Sequence, residues 1–264
     1  MLAKGIAAIL VLLISLLTAE VLSAQPAPDS EYLSLSSIQS AARPASLQPI
    51  SPPNFTEIPN VSERKQAFFA FMRPLIKHAN EAILKERRWI ASLNFEQLSD
   101  TQRAKVSELV QKYRLKYTEI TPQTQKTLLK KIDVIPQSLA LAQAANESSW
   151  GTSRFARQAN NFFGQWCFTP GCGLVPKQRR PGDNHEVKKF ANALESVKSY
   201  MLMLNSHPAF KPLRDVRLTA RKQKQPFNGL TLVQGLEPYS ALKQTYIESI
   251  SQIIEHNELT EYDL

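Results

Sequence analysis

The residue with the clearest chemical potential is Glu147, which lies in the last turn of a predicted helix rich in alanine. Pro136 favours a helix start because its missing N–H is not needed in the first turn, and Gly151 predicts the helix end. The negative end of the helix dipole and the indole of Trp150 both disfavour the Glu147 anion, so we expect a raised pKa. A carboxyl group protonated near neutral pH is what a glycosidase needs to protonate a leaving sugar oxygen. The alternative is an ordinary solvated glutamate at a helix end.

The residues around Glu147 form a longer pattern. The chain reads AQAANESSWGTSRFA over residues 142–156 and NNFFG over residues 160–164. This pattern resembles the signature of the glucosaminidase domain family, glycoside hydrolase family 73, which is approximately AQAxLESGWGxSxxA followed by NNLFGIK. The resemblance covers residues 132–259, and it is closest to periplasmic members from Gram-negative bacteria that share the WCFTPGCG insertion at residues 166–173.

This resemblance implies a fold and an activity. The expected fold is mainly α, a lysozyme-like helical domain with a small β-hairpin or irregular lobe. The expected activity is that of an endo-β-N-acetylglucosaminidase, which hydrolyses β-1,4 bonds next to N-acetylglucosamine in peptidoglycan glycan strands. No cofactor is expected.

Two further positions, a second acid and a tyrosine, are candidates for a role in the catalytic step. Asp183 and Glu186 both lie in the irregular segment from which the family draws a second acid, and we favour Glu186, which directly precedes a strand-like run. A second carboxylate would support the positive charge that grows at the anomeric carbon, although a plain surface charge is the alternative. The resemblance also implies a tyrosine near the acid. Tyr239 lies in the matching region, where the usual Thr-Asp pair is missing.

Four residues are candidates for substrate binding. Sugar rings have apolar faces that stack on aromatic side chains, which makes Trp150, Phe163 and Trp166 candidates for lining a groove. Asn160 is a candidate for hydrogen bonding to N-acetyl groups. Core packing is the alternative for the aromatic residues, and a turn cap is the alternative for the asparagine.

Other hydrolytic chemistries find little support. Ser148 and Ser149 adjoin Glu147 but do not lie in a GxSxG elbow, and the four histidines show no supporting arrangement. The two cysteines, Cys167 and Cys172, flank a turn signal, so we expect a disulfide bond in an oxidising compartment. A zinc site using His185 or His207 would lack the usual ligand spacing, and no metal is expected.

The N-terminal 24 residues predict export. Lys4 precedes an apolar stretch from Ile6 to Leu17, and Leu22-Ser23-Ala24 offers a cleavage site with small residues. We therefore expect a signal peptide over residues 1–24 and a periplasmic protein; an uncleaved anchor is the alternative, and it would be the only membrane contact.

The net charge of +9 suits an exported protein that meets anionic envelope polymers. Nucleic acid is not an expected partner, because no reader motif is present. Solubility alone also explains such a charge.

The remaining chain divides by composition. Residues 25–60 are rich in proline and serine and predict a flexible tether. Residues 61–131 show apolar side chains at three- and four-residue steps and predict a helical extension, with helix starts at Ser99-Asp100 and Thr121-Pro122. Residues 132–264 form the expected catalytic domain. Two rival functions remain open: a lytic transglycosylase on the same fold, and a peptidoglycan-binding protein without turnover.

Overall fold

The computed structural model describes residues 51–116, 119–180 and 182–263. Within these ranges the chain forms nine α-helices and one three-stranded antiparallel sheet. The predicted mainly α fold with a small β lobe is therefore confirmed. The predicted signal segment, residues 1–24, and most of the predicted tether, residues 25–60, lie outside the described residues. Throughout the described part, every helix is too short or too polar to cross a lipid bilayer.

Three helices lie in residues 61–131, the range of the predicted helical extension. They are α1 (Val61–Ser92), α2 (Asp100–Lys112) and α3 (Pro122–Lys131). Asn60 caps α1 by accepting hydrogen bonds from two N–H groups of its first turn. Ser99 caps α2 in a capping box with Gln102, and Thr121 directly precedes α3. The predicted helix starts at Ser99 and Thr121 are thus confirmed, because these side chains suit the position before a first helical turn.

The remaining elements follow in chain order. The helices are α4 (Gln137–Ser148), α5 (Arg154–Ala159), α6 (Ala193–Ser206), α7 (Lys211–Lys222), α8 (Gly229–Leu232) and α9 (Gln244–His256). The strands are β1 (Trp166–Cys167), β2 (Gly173–Leu174) and β3 (Glu186–Lys188), and β3 lies in the middle of the sheet. Turns of 3-10 helix occur at Phe55–Glu57, Pro208–Phe210, Val233–Tyr239 and Leu259–Asp263. The small sheet is thus inserted between α5 and α6.

Helix α4 is the central element of the fold. It contacts α1, α8, α9 and the last 3-10 turn, and every residue from Ser138 to Ala145 is buried. Its small side chains let neighbouring chain segments approach closely. At Gly229, for example, a Cβ atom would lie 2.4 Å from Oγ of Ser138. This packing holds the end of α4, where Glu147 lies, in a rigid frame.

The folded body begins before α1. Phe55 was predicted to belong to the tether, yet its side chain is only 1% exposed. Its ring centroid lies 5.6 Å from that of Phe68 and 6.0 Å from that of Phe71. A Cβ atom on Gly151 would lie 2.2 Å from the Phe55 ring. The aromatic side chain therefore fixes this segment against α1 and against the turn that follows Glu147.

A buried charge cluster connects the helical extension to α7. Asp133 is 2% exposed, and Arg221 donates hydrogen bonds to its two carboxylate oxygens at 3.0 and 2.8 Å. Nitrogen atoms of Arg87 and Arg217 lie 3.6 and 3.9 Å from the same carboxylate. Burial raises the pKa of Asp133, but the Arg221 hydrogen bond and the charges of Arg217 and Arg87 outweigh burial and hold the pKa below its usual range.

Candidate active site

Glu147 lies in the last turn of α4, as predicted, but the helix ends earlier than Gly151. Ser149 and Trp150 already have left-handed backbones, with φ of 51° and 57°, and Gly151 follows with φ of 78°. The Ser148 hydroxyl donates to the Ala144 carbonyl at 2.6 Å and accepts from the Gly151 N–H at 2.8 Å. This closes the helix end with local hydrogen bonds, so that the Glu147 side chain is left to face a cleft.

The cleft in front of Glu147 has a volume of about 390 Å³. It lies between the segment that follows α5, the C-terminal end of α6 and two 3-10 turns. The lining residues are Glu147, Phe163, Gly164, Gln165, Trp166, Met203, His207, Ala209, Phe210, Pro238 and Tyr239. Glu147 is the only carboxylate in this set. The cleft therefore combines one acid with aromatic walls.

A chain of hydrogen bonds lies beneath Glu147. The Tyr200 hydroxyl donates to Oε1 of Gln143 at 2.6 Å, and Nε2 of Gln143 donates to the Tyr246 hydroxyl oxygen at 2.8 Å. Because the Tyr246 oxygen accepts from Gln143, its own proton is directed to the Glu147 carboxylate, to which it is hydrogen-bonded. The sequence patterns did not identify this chain of hydrogen bonds. A polar glutamine within an alanine-rich helix was the available signal.

Burial raises the pKa of Glu147, and this effect exceeds the opposing effect of hydrogen bonds from Tyr246 and Asn146. The Asn146 amide nitrogen lies 3.3 Å from the carboxylate. Burial, together with the nearby Glu147 charge, also raises the pKa of Tyr200 and of Tyr239 well above the usual range. Both phenols therefore stay neutral, and Glu147 holds its proton to a higher pH than a solvated glutamate does.

Three further predicted site residues line this cleft together with Glu147. The Tyr239 hydroxyl donates to the Phe163 carbonyl at 2.8 Å, and its ring stacks on Tyr246 at a centroid distance of 5.5 Å. Phe163 stacks on Tyr200 at 3.9 Å and is 1% exposed. Trp166 is 57% exposed and stacks on His185 at 4.1 Å. Trp166 thus offers an open aromatic face, whereas Phe163 and Tyr239 form the floor of the cleft.

Trp150 and Asn160 do not line the cleft. Trp150 packs edge-on against Phe68 and Phe69 of α1, at centroid distances of 5.9 and 5.4 Å. The left-handed backbone at Ser149 and Trp150 turns the indole away from Glu147, so the tyrosines provide the shielding expected from Trp150. Asn160 ends α5 with φ of 50°, and its amide donates to the Phe190 and Ala191 carbonyls. Its contacts are those of a helix cap.

Glu186 has its own structural partners in the small lobe. Its carboxylate accepts hydrogen bonds from the N–H groups of Gly171 and Gly173, at 3.0 and 2.7 Å. These bonds lower the pKa of Glu186. The side chain is absent from the cleft lining and instead holds the loop closed by Cys167 and Cys172, which are joined in a disulfide bond. Since both sulfurs are in that bond, this acid and the cysteines do not offer a metal site.

Comparisons with known proteins identify the family of this chain. The model of the glucosaminidase family, described as mannosyl-glycoprotein endo-beta-N-acetylglucosaminidase, matches residues 122–259. The chain is 32% identical over 208 residues to "Protein bax" of Escherichia coli (strain K12), and the alignment covers 78% of this chain and 74% of that protein. No solved structure matches the chain significantly. The family match begins at α3 and includes Glu147 and all the other cleft residues. The chain therefore belongs to the glucosaminidase family, as a Bax-type member.

Proposed function

We propose that this protein cleaves β-1,4 glycosidic bonds next to N-acetylglucosamine in peptidoglycan, with Glu147 as the general acid. Membership of the family supports a glycosidase that acts on peptidoglycan. The observation that carries the finer proposal is the placement of Glu147, a half-buried carboxyl group with a raised pKa that opens on an aromatic cleft. Exposed Trp166 offers a stacking face for a sugar ring.

The proposed step starts with protonated Glu147. As the bond between the anomeric carbon and the leaving oxygen breaks, Glu147 gives its proton to that oxygen and becomes a carboxylate. In hydrolysis, water then bonds to the anomeric carbon and returns one proton to Glu147. The Tyr246 hydroxyl stabilises the carboxylate between these two proton transfers, because its hydrogen bond is stronger to the anion than to the acid.

A second candidate function is favoured by the single carboxylate in the cleft. In a lytic transglycosylase the C6 hydroxyl of the same sugar bonds to the anomeric carbon and returns its proton to Glu147, so that no second acid and no water are used. The carboxylate of Glu186 is bound to two backbone N–H groups and is not among the residues that line this cleft.

The products distinguish these functions. Purified sacculi are incubated with the protein in water labelled with heavy oxygen, and the released fragments are analysed by mass spectrometry. Hydrolysis places the label in the new reducing end and exposes N-acetylglucosamine there. Unlabelled anhydro sugars would establish the transglycosylase instead. Binding to sacculi without released fragments, over a range of pH, would contradict both proposals and leave a binding protein.

We expect Tyr246→Phe to lower the turnover number about tenfold or more, because a hydrogen bond to a charged group contributes about 1.5–3 kcal/mol. The hydrogen bond from Tyr246 lowers the pKa of Glu147, so its removal raises that pKa further. Activity requires the protonated acid and is lost as the pH rises through its pKa. The alkaline limb of the pH–rate profile should therefore move to higher pH.

The matched control for this tyrosine is Tyr239→Phe. Its hydroxyl donates to the Phe163 carbonyl rather than to the acid, so the alkaline limb should remain near its native position. If the limb does not move in Tyr246→Phe, or moves equally in both variants, the assignment of Tyr246 as the partner of Glu147 is wrong.

We expect Gly164→Ala to reduce both stability and activity. Gly164 has φ of +63°, and a Cβ atom would lie 3.1 Å from Oε2 of Glu147. The left-handed backbone alone costs a non-glycine residue about 1–2 kcal/mol, and the methyl group also displaces the acid. Turnover of glycan strands and thermal unfolding are the measurements.

Gly171→Ala separates these two effects. Gly171 has φ of +81°, but no atom beyond its two chain neighbours lies within 4 Å of an added Cβ. Its loss of stability should be similar while its turnover stays close to native. Similar turnover in both variants would show that the free space beside the Glu147 carboxylate is not required for cleavage of glycan strands.

We also propose that the protein is periplasmic. The predicted signal over residues 1–24 and the disulfide bond between Cys167 and Cys172 both suit an oxidising compartment. Cell fractionation of the full chain is the test, and recovery of the protein in the cytoplasm would contradict this proposal.

A further inference from the structure

A second cavity lies beside the active-site cleft. It has a volume of about 520 Å³ and is lined by side chains of α1, the end of α2, α6 and the segment from Lys188 to Phe190. We call it the α1–α6 pocket. Much of its wall, including Glu86, Lys112 and Tyr113, comes from residues before 122, where the family match begins. This pocket is therefore built largely by the helical extension of this chain.

The pocket and the cleft share one wall. Along α6, Ser199 and Leu202 line the pocket, whereas Met203, the next residue, lines the cleft. Gln165 of the cleft donates from Nε2 to the Ser199 hydroxyl at 3.1 Å. Its Oε1 is shielded from solvent and accepts no hydrogen bond from any described residue. This hydrogen bond thus joins a residue of the cleft to a residue of the pocket.

The charged side chains that line the pocket include one more cation than anions. Glu86 is paired with Lys112 at 2.5 Å and accepts from the Tyr113 hydroxyl at 2.7 Å. Glu195 is likewise paired with Lys198 at 2.9 Å. Lys188 has no carboxylate partner among the described residues, and its ammonium group lies 5.1 Å from the centre of the Phe190 ring. The pocket therefore presents one unbalanced cation beside an apolar ring, a combination that suits a carboxylate on an apolar stem.

We propose that the α1–α6 pocket binds the acidic peptide branch of a peptidoglycan strand while Glu147 acts on the glycan itself. This inference rests on the proposed function. The sugar next to N-acetylglucosamine in peptidoglycan carries a peptide with free carboxylates, so a branched substrate requires a second space beside the cleft. Lys188 binds a carboxylate of the branch, and the branch crosses the wall at Gln165 and Ser199.

The test compares strands with and without their peptides. Binding is measured with the Glu147→Gln protein, so that no substrate is consumed, on soluble glycan strands and on the same strands after amidase removal of the peptides. We expect the peptide-bearing strands to bind more tightly. Lys188→Glu in this background should weaken their binding about tenfold or more, in line with one charge-assisted hydrogen bond, and leave binding of the stripped strands unchanged.

Lys189→Glu is the matched control, because it makes the same charge change on the neighbouring, exposed residue that does not line the pocket. It should leave both affinities close to those of the Glu147→Gln parent. Equal binding of both strand types, or an equal effect of the two lysine variants, would overturn the proposal for the pocket. It would not affect the proposed cleavage activity, which is tested separately with sacculi. If the protein prefers peptide-bearing strands but the native protein cleaves none of them, the proposed glycosidase activity is wrong and the proposed binding of the peptide branch in the pocket is retained. Failure of both strand types to bind would overturn both.

Discussion

Replacement of Glu147 by glutamine is expected to reduce the release of fragments from purified sacculi by a factor of about 10³, within the range that general acid catalysis contributes. Glutamine keeps the shape of the side chain and can still bond to Tyr246, but it has no proton to give to the leaving oxygen. The fold should be unaffected, because α4 is held by the buried residues from Ser138 to Ala145 rather than by this side chain. Mass spectrometry of released fragments and circular dichroism are the measurements.

The matched control is Glu248→Gln. Glu248 is exposed on α9, two residues beyond Tyr246, and does not line the cleft. It should release fragments at the native rate. Equal release by the Glu147 variant and the native protein would remove the acid role from Glu147 and, with it, the proposed mechanism.

The second large effect concerns stability. Asp133→Ala is expected to lower the free energy of unfolding by about 3–5 kcal/mol, the usual cost of removing one partner from a buried ion pair. The change leaves the guanidinium groups of Arg87, Arg217 and Arg221 close together without their shared carboxylate. Arg217 is 1% exposed and has little access to water as a substitute partner. Urea unfolding followed by circular dichroism measures the change.

Asp215→Ala is the control for this cluster. Asp215 pairs with Lys130 and Lys211, but its side chain is 39% exposed, so the loss should stay below about 1 kcal/mol. A similar loss of unfolding free energy in the two variants would show that the buried cluster stabilises the fold no more than an exposed ion pair does.

The pH dependence of this stability follows from the lowered pKa of Asp133. The group is ionised in the folded state at pH values where the unfolded chain still binds a proton. Its contribution is therefore fully present above the unfolded pKa of about 3.9 and is lost as the pH falls through the lower folded value. Asp133→Ala should make stability less dependent on pH in this acidic range.

The local parts of the site were predictable from sequence. Glu147, Phe163 and Trp166 fall within twenty residues, and a helix end followed by a short loop brings them to one cleft. Tyr239 was placed by the family resemblance, and the structure brings it to the same cleft. The helix starts at Ser99 and Thr121 depend on their immediate neighbours, which is why capping rules located them.

Two predicted site residues lie outside the cleft lining, because backbone direction is not encoded in spacing alone. Trp150, three residues after Glu147, would lie near it if the helix continued, but the left-handed residues Ser149 and Trp150 turn it toward α1. Glu186 is an acid in the expected lobe, yet antiparallel pairing of β3 with its neighbours places its carboxylate over Gly171 and Gly173. A residue type and its spacing do not tell which groups its side chain will meet.

Sequence alone thus indicated Glu147 as the candidate acid and determined that the domain around it is helical, because both depend on contiguous segments with their own helical and capping preferences. Only the tertiary structure decided which side chains surround Glu147. Gln143 lies 57 residues from Tyr200 and 103 residues from Tyr246. Packing of α9 against α4, and of α4 and α6 against α1, brings these side chains together below Glu147. The same holds for the α1–α6 pocket, because its wall combines side chains of α1 and α2 with side chains between Lys188 and Leu202, which are distant in sequence. Hydrogen bonds and burial, which set the pKa of Glu147, are properties of this assembled environment and not of any single segment.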